Sequence, residues 1–190
     1  MVGNIRYTES NQLLVGTLNL SPADSSGTQA PPTLLGSAMP ALERAGAGNF
    51  RTRRQLHFPE TIQMTLPCGQ ASECVLSYDF LPVFADSIPT QISLAETVAF
   101  PVAGGGLLSD ESLVIFFEPA DRSSPKRIQL MGPTDTGIFT LPKNSLEDIP
   151  AGDYQVYLIK QQLHQDSTAY YKASIQTEYF SKTVLVKVQQ

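Results

Sequence analysis

Any nucleophilic or acid–base chemistry in this 190-residue chain would have to draw on two histidines, His57 and His164, and two cysteines, Cys68 and Cys74. A Ser/His/Asp arrangement needs a nucleophile beside an imidazole that a carboxylate orients. No G-x-S-x-G elbow marks such a nucleophile. His57 follows Leu56 in an alternating segment, and His164 lies in the polar run Gln161–Asp166; both read as surface histidines. No catalytic residue is assigned, and the chain reads as a non-enzyme that needs no cofactor. Two carboxylates meeting in space, as in glycosidases, are the one hydrolytic arrangement that spacing along the chain leaves open.

Cys68 and Cys74 bracket Gly69–Glu73 between two strand-like segments. A hairpin there would bring their Cα atoms to the ~5.5 Å that a disulfide requires. A structural disulfide is expected, with free thiols as the alternative. The spacing is not C-x-x-C, and two thiols alone make an incomplete zinc site.

Arg51-Thr52-Arg53-Arg54 is the strongest local charge feature. On a strand, Arg51 and Arg53 project from one face about 6.5–7 Å apart, and Arg54 from the other. Such a pair could grip a carboxylate or phosphate, so Arg51, Arg53 and Arg54 are the candidate binding residues. The competing account is a charged edge strand that blocks unwanted pairing. Gly104-Gly105-Gly106 lacks the Lys-Ser/Thr of a phosphate loop and reads as a turn. The acidic residues do not form an EF-hand, and no metal site is assigned. Tyr170-Tyr171 and Tyr179-Phe180 read as core aromatics rather than stacking platforms. Asn19-Leu20-Ser21 matches a glycosylation sequon of the kind that chance often supplies.

The elements that must carry these residues are strands. Short alternating segments recur, closed by Pro, Gly, Asn or Asp: 5–9, 13–20, 50–58, 61–66, 74–80, 92–102, 112–118, 127–131, 137–141, 153–162, 168–179 and 183–188. The run Leu113-Val114-Ile115-Phe116-Phe117 predicts a central strand covered on both faces. Ser21–Pro32 reads as a surface loop, and Met39–Arg44 predicts one helical turn with Pro40 near its start. Phe84–Thr90 punctuates the pattern with Asp86 and Pro89. The expected organisation is therefore all-β: two immunoglobulin-like β-sandwich domains in tandem, residues 1–87 and 88–190.

Composition agrees. Hydrophobic residues make up 42% of the chain and charged residues 16%, which argues against disorder and against a helical bundle. The net charge of −5 argues against a nucleic-acid partner, since phosphate binding needs a basic field. All six lysines lie at or after Lys126, and the first hundred residues use only arginine as a cation. No apolar run of about 18 residues exists to span a membrane as a helix, and Met1–Tyr7 has no apolar leader segment.

The stretch Asp148-Ile149-Pro150-Ala151-Gly152-Asp153-Tyr154-Gln155-Val156-Tyr157-Leu158 resembles the turn into a late strand of bacterial extracellular immunoglobulin-like modules. Tyr179–Val186 is similar to how such modules close. The chain thus resembles a tandem immunoglobulin-like cell-envelope protein or lipoprotein of Bacteroidetes-type bacteria. The resemblance implies a periplasmic or cell-surface location, a leader or lipid anchor carried by an uncut precursor, and an envelope protein or glycan as partner. The implied function is a non-enzymatic structural, adhesion or protein-interaction module. The alternative is a carbohydrate- or peptide-binding accessory domain with a small-ligand cleft.

Overall fold

The computed structural model describes residues 1–20, 30–42, 48–68, 72–102, 105–168 and 170–190. The fold is all-β. In chain order the strands are β1 (Val2–Thr8), β2 (Leu13–Asn19), β3 (Thr33–Leu34), β4 (Ser37–Ala38), β5 (Asn49–Gln55), β6 (Thr61–Cys68), β7 (Ser72–Asp79), β8 (Gln91–Ser93), β9 (Val98–Pro101), β10 (Glu111–Pro119), β11 (Lys126–Met131), β12 (Ile138–Leu141), β13 (Gly152–Ser167), β14 (Lys172–Phe180) and β15 (Val184–Gln189); α1 is the single turn Lys143–Leu146. By packing, the chain divides into two compact units: Met1–Leu81 with Gln162–Glu178, and Pro82–Gln161 with Tyr179–Gln190. The sequence division puts Gln162–Glu178 in the C-terminal domain, whereas these residues pack with the N-terminal ones. The reason lies in strand length. The alternation of apolar residues fades at Gln162, but the backbone of β13 stays extended to Ser167. The turn that follows is closed by Thr168 N–H donating to Tyr171 O.

The first unit is a sandwich. One layer runs β14-β1-β2-β5, and the other β4-β3-β6-β7. Ile5, Tyr7, Leu14, Leu18, Ile175 and Thr177 turn inward from the first layer, and Leu34, Ile62, Met64, Leu66, Leu76 and Tyr78 from the second. This is the period of two that a half-buried strand requires. The layers meet closely at Gly16, where an added Cβ would lie 2.4 Å from Leu34 Cδ2. Leu35 and Gly36 carry φ of 50° and 72°, the left-handed pair that a two-residue hairpin turn demands. The segment expected to coil after Met39 is instead extended. Ala41 bridges to Phe50 and Leu42 N–H donates to Asn49 O, because an open strand edge offers backbone partners that one helical turn does not. Glu43, Arg44 and most of the expected Ser21–Pro32 loop lie outside the described residues.

The second unit has a five-stranded layer, β11-β10-β13-β15-β8, in which β8 runs parallel to β15. A two-stranded ribbon, β9-β12, supplies the buried side chains Val98, Phe100, Phe139 and Leu141. The expected strand 92–102 is two strands here, separated at Leu94–Thr97. Tyr154 O–H donates to Pro150 O at 2.7 Å. A tyrosine pinning the corner that precedes its own strand is a hallmark of immunoglobulin-like sandwiches, and it accounts physically for the Pro-Ala-Gly-x-Tyr turn. As expected, β10 is buried on both faces from Glu111 to Ile115.

Two charged groups lie inside this unit. Lys160 continues the inward stripe of Tyr154, Val156 and Leu158 on β13, and Glu111 that of Leu113, Ile115 and Phe117 on β10. Lys160 Nζ is 2.7 Å from Glu111 Oε1, and both side chains are at most 4% exposed. Glu111 Oε2 also accepts the N–H of Leu108 at 2.9 Å. Removing one partner strands the other charge in the core, a loss of about 3–5 kcal/mol. Glu111→Leu and Lys160→Met are each expected to lower unfolding stability by that order in urea titration. The double replacement should recover most of the loss, since an apolar pair leaves no charge behind.

Candidate functional site

The arginines singled out in the sequence sit on β5 at the edge of the first unit's sheet. The register pairs Arg51 with Thr17 and Arg53 with Val15 on β2. Val15 in turn pairs with Arg6, and Thr17 with Asn4, on β1. Arg6 and Arg53 therefore share one cross-strand row on the outer face, two strand spacings or about 9.5 Å apart. Arg51 lies two residues along β5. All three are exposed, over a floor made of half-buried Val15 and Thr17. Arg54 belongs to the opposite face, where Nη1 donates to Leu35 O at 3.3 Å and caps the β3–β4 turn.

Arg6 brings a carboxylate into this face. Its Nε and Nη2 donate to Glu178 Oε2 at 3.0 and 2.8 Å, while Gln176 Nε2 donates to Oε1 at 3.2 Å. Glu178 is 7% exposed, so the pair is held rather than splayed. Among the described residues the face thus carries three guanidiniums against one carboxylate. Chemically it offers Arg51 and Arg53 to an anionic group. Arg6 and Glu178 stand 172 residues apart, and no local pattern links them. The one trace in the sequence is that each alternates with residues that turn inward, Ile5 and Tyr7 for Arg6, Thr177 and Tyr179 for Glu178.

Cys68 and Cys74 form a disulfide with their Cα atoms 5.6 Å apart, at the end of the β6–β7 hairpin. The expected pairing holds, and the hairpin register supplies the geometry. The histidines part ways. His57 is exposed, with Nδ1 3.4 Å from Gln12 Nε2. His164, read as a surface residue, is half-buried and stacks on Tyr78 with ring centroids 4.2 Å apart. Its Nε2 is buried with no hydrogen-bond partner among the described residues. The cause of the difference is again the added length of β13, which carries His164 into the first unit's packing. Tyr78 O–H lies 2.7 Å from Thr177 Oγ1. Burial pushes the Tyr78 phenol up to about 12, against a smaller downward pull from Thr177.

The grooves of the second unit have a different character. One of about 290 Å³ is lined by Pro119, Asp121, Ser123, Pro150 and Asp153. Another, of about 380 Å³, is lined by Thr90, Gln155, Leu185 and Lys187. The Asp121 carboxyl is held below its usual range by hydrogen bonds from Ser123. Among the described residues no group of three or more His, Cys, Asp or Glu is placed to hold a metal ion, and no helix is long and apolar enough to cross a membrane.

No family model matches the chain, and no curated protein matches it. Among solved structures it is similar to the FN1–FN3 domains of chicken CNTN1. The identity is 12%, the TM-score 0.28, and the match covers 95% of this chain and 64% of that one. The sandwich assignment rests on the strand order and the Tyr154 corner.

Two measurements test this geometry. Intact mass should rise by about 2 Da on reduction, and Cys68→Ser with Cys74→Ser should cost about 2 kcal/mol, the loop-closure value for so short a ring. Tyr78 is raised in the folded state, so the neutral phenol is the form that folding favours. Stability is therefore full below the unfolded value of 10.0 and falls as pH climbs toward about 12. Tyr78→Phe should flatten that alkaline limb in thermal melts; an unchanged slope would mean that the phenol is not buried.

Proposed function

We propose that this chain is a non-enzymatic cell-envelope module that works by binding, as a structural, adhesion or protein-interaction element at the periplasm or cell surface. The observation that carries the reading is the outer face of the first unit, where Arg51 and Arg53 stand exposed beside the Arg6–Glu178 pair. An exposed, cationic, hydrogen-bonding surface suits an anionic group displayed on a macromolecule, either an acidic glycan or an envelope protein. The disulfide supports an oxidising compartment. The alternative of a carbohydrate- or peptide-binding accessory domain with a defined cleft is less favoured. The two grooves above are lined by Pro, Asp and small or aliphatic residues with Tyr154 in both and Lys187 in one, without arginine.

The test is a titration with a carboxylated polysaccharide and, separately, with solubilised envelope proteins. Saturable binding is expected that weakens about tenfold or more in the Arg51→Ala/Arg53→Ala double variant, as befits loss of charge-assisted hydrogen bonds. Binding untouched by that change would remove the arginine face from the function. Turnover of glycosides, esters or peptides that vanishes on replacing one Asp or Glu would move the protein to the hydrolases.

A further inference from the structure

Two sheet edges of this molecule are complementary to each other. β7 is the terminal strand of the β4-β3-β6-β7 layer, and β11 is the terminal strand of the β11-β10-β13-β15-β8 layer. Among the described residues no strand pairs with the outer edge of either one. An unpaired strand edge presents backbone N–H and C=O groups ready to template another strand. The two edges carry opposite charge. β7 shows Glu73, Val75, Ser77 and Asp79 to solvent, and β11 shows Arg127, Gln129 and Met131, with Lys126 half-buried beside them. Val75 is 52% exposed and Met131 64%, so each edge also displays a large apolar side chain.

We propose that copies of this chain associate head to tail by strand addition, with β7 of one copy pairing antiparallel to β11 of the next. One register matches three outward positions of β7 with the three of β11. Setting Asp79 opposite Arg127 places Ser77 opposite Gln129 and Val75 opposite Met131: an ion pair, a polar pair and an apolar pair. On the other face the same register sets Tyr78 opposite Ile128 and Leu76 opposite Leu130. The half-buried Ile128 and Leu130 of β11 thereby join a row that is already buried in β7. A shift of one residue would turn the apolar set of one strand against the polar set of the other. Parallel docking is poorer: it joins Arg127 to Glu73 but leaves Val75 against Gln129 and Met131 against Ser77.

The β7 edge is prepared for this role. The Cys68–Cys74 disulfide ties β7 to β6, and Thr61 Oγ1 donates to Asp79 Oδ1 at 2.8 Å, orienting the carboxylate on the exposed face. A stapled strand loses less conformational freedom on pairing. Because the two edges differ, each added copy leaves one acidic and one basic edge free. Such a heterologous contact closes into a ring where its rotation allows and otherwise propagates as an open chain. The surface involved is separate from the arginine face of β5, so the two can be tested apart.

The experiment is sedimentation velocity of the oxidised protein alone, from micromolar to about 1 mM at low and high salt, a range that reaches weak contacts. Mass should grow with concentration and fall back as salt screens the ion pair. Asp79→Lys and Arg127→Glu should each weaken association by about tenfold, and the double charge swap should restore it. Met131→Lys and Val75→Lys, both at exposed positions, should weaken it as well, and they carry the test if a charge reversal fails to fold by circular dichroism. A protein that stays monomeric throughout, association indifferent to both reversals, or a double swap that restores nothing would each overturn the proposal.

Discussion

The contact between Lys160 and Glu111 is the constraint around which the second unit is organised. Bringing an ammonium and a carboxylate into the core costs several kcal/mol of desolvation for each ion, which only close pairing and further hydrogen bonds offset. At 2.7 Å, with Leu108 N–H on the second carboxylate oxygen, both conditions are met in a single register of β10 against β13. Sliding either strand by two residues would leave both charges buried and unpaired. A purely apolar stripe would tolerate such a slip far better. We read the pair as a registry device: Ala120 N–H donating to Asp153 O at one end of the strand pair and the ion pair at the other hold the two strands in one alignment.

That alignment matters because β13 serves more than its own unit. Its first ten residues complete the five-stranded layer, and its last six, with most of β14, pack with the N-terminal residues. Glu178 reaches the arginine face along this return path, as Thr177 and His164 reach Tyr78. The face proposed to bind an anionic partner is thus assembled from three distant stretches, around Arg6, Arg53 and Glu178. Its outer surface is polar, while the alternate residues of the same strands build the sandwich core. The edge strands are equally a product of the sandwich layout. Each layer must end somewhere, and the residues at β7 and β11 decide whether that end repels or recruits a neighbour.

Much of the architecture could be read from alternation. The paired inward faces of 61–66 and 74–80, the doubly covered run at 113–115, and the disulfide across the 68–74 hairpin all follow from local rules that the structure obeys. The misses have one physical origin, which is competition between local preference and long-range backbone pairing. Met39–Leu42 carries a helix-start pattern, but the β5 edge offered hydrogen bonds and the segment extended. Gln162–Ser167 lost its apolar rhythm, yet it stayed a strand into Ser167. Conversely, Leu94–Thr97 interrupted an alternation that looked continuous, because a turn there lets β8 run parallel to β15 while β9 pairs with β12.

By itself the sequence determined the class of fold and the position of Arg51 and Arg53 on one face with Arg54 on the other, and it favoured the hairpin staple over free thiols; the turn at Pro150–Tyr154 was legible as a resemblance. These are properties of a few consecutive residues, set by the period of two and by turn stereochemistry. Only the tertiary structure decided which side chains meet. The partners Arg6 and Glu178, Lys160 and Glu111, and Tyr78 and His164 are joined through strand order and register. Strand order is chosen by burial summed over the whole chain, and no single segment carries it.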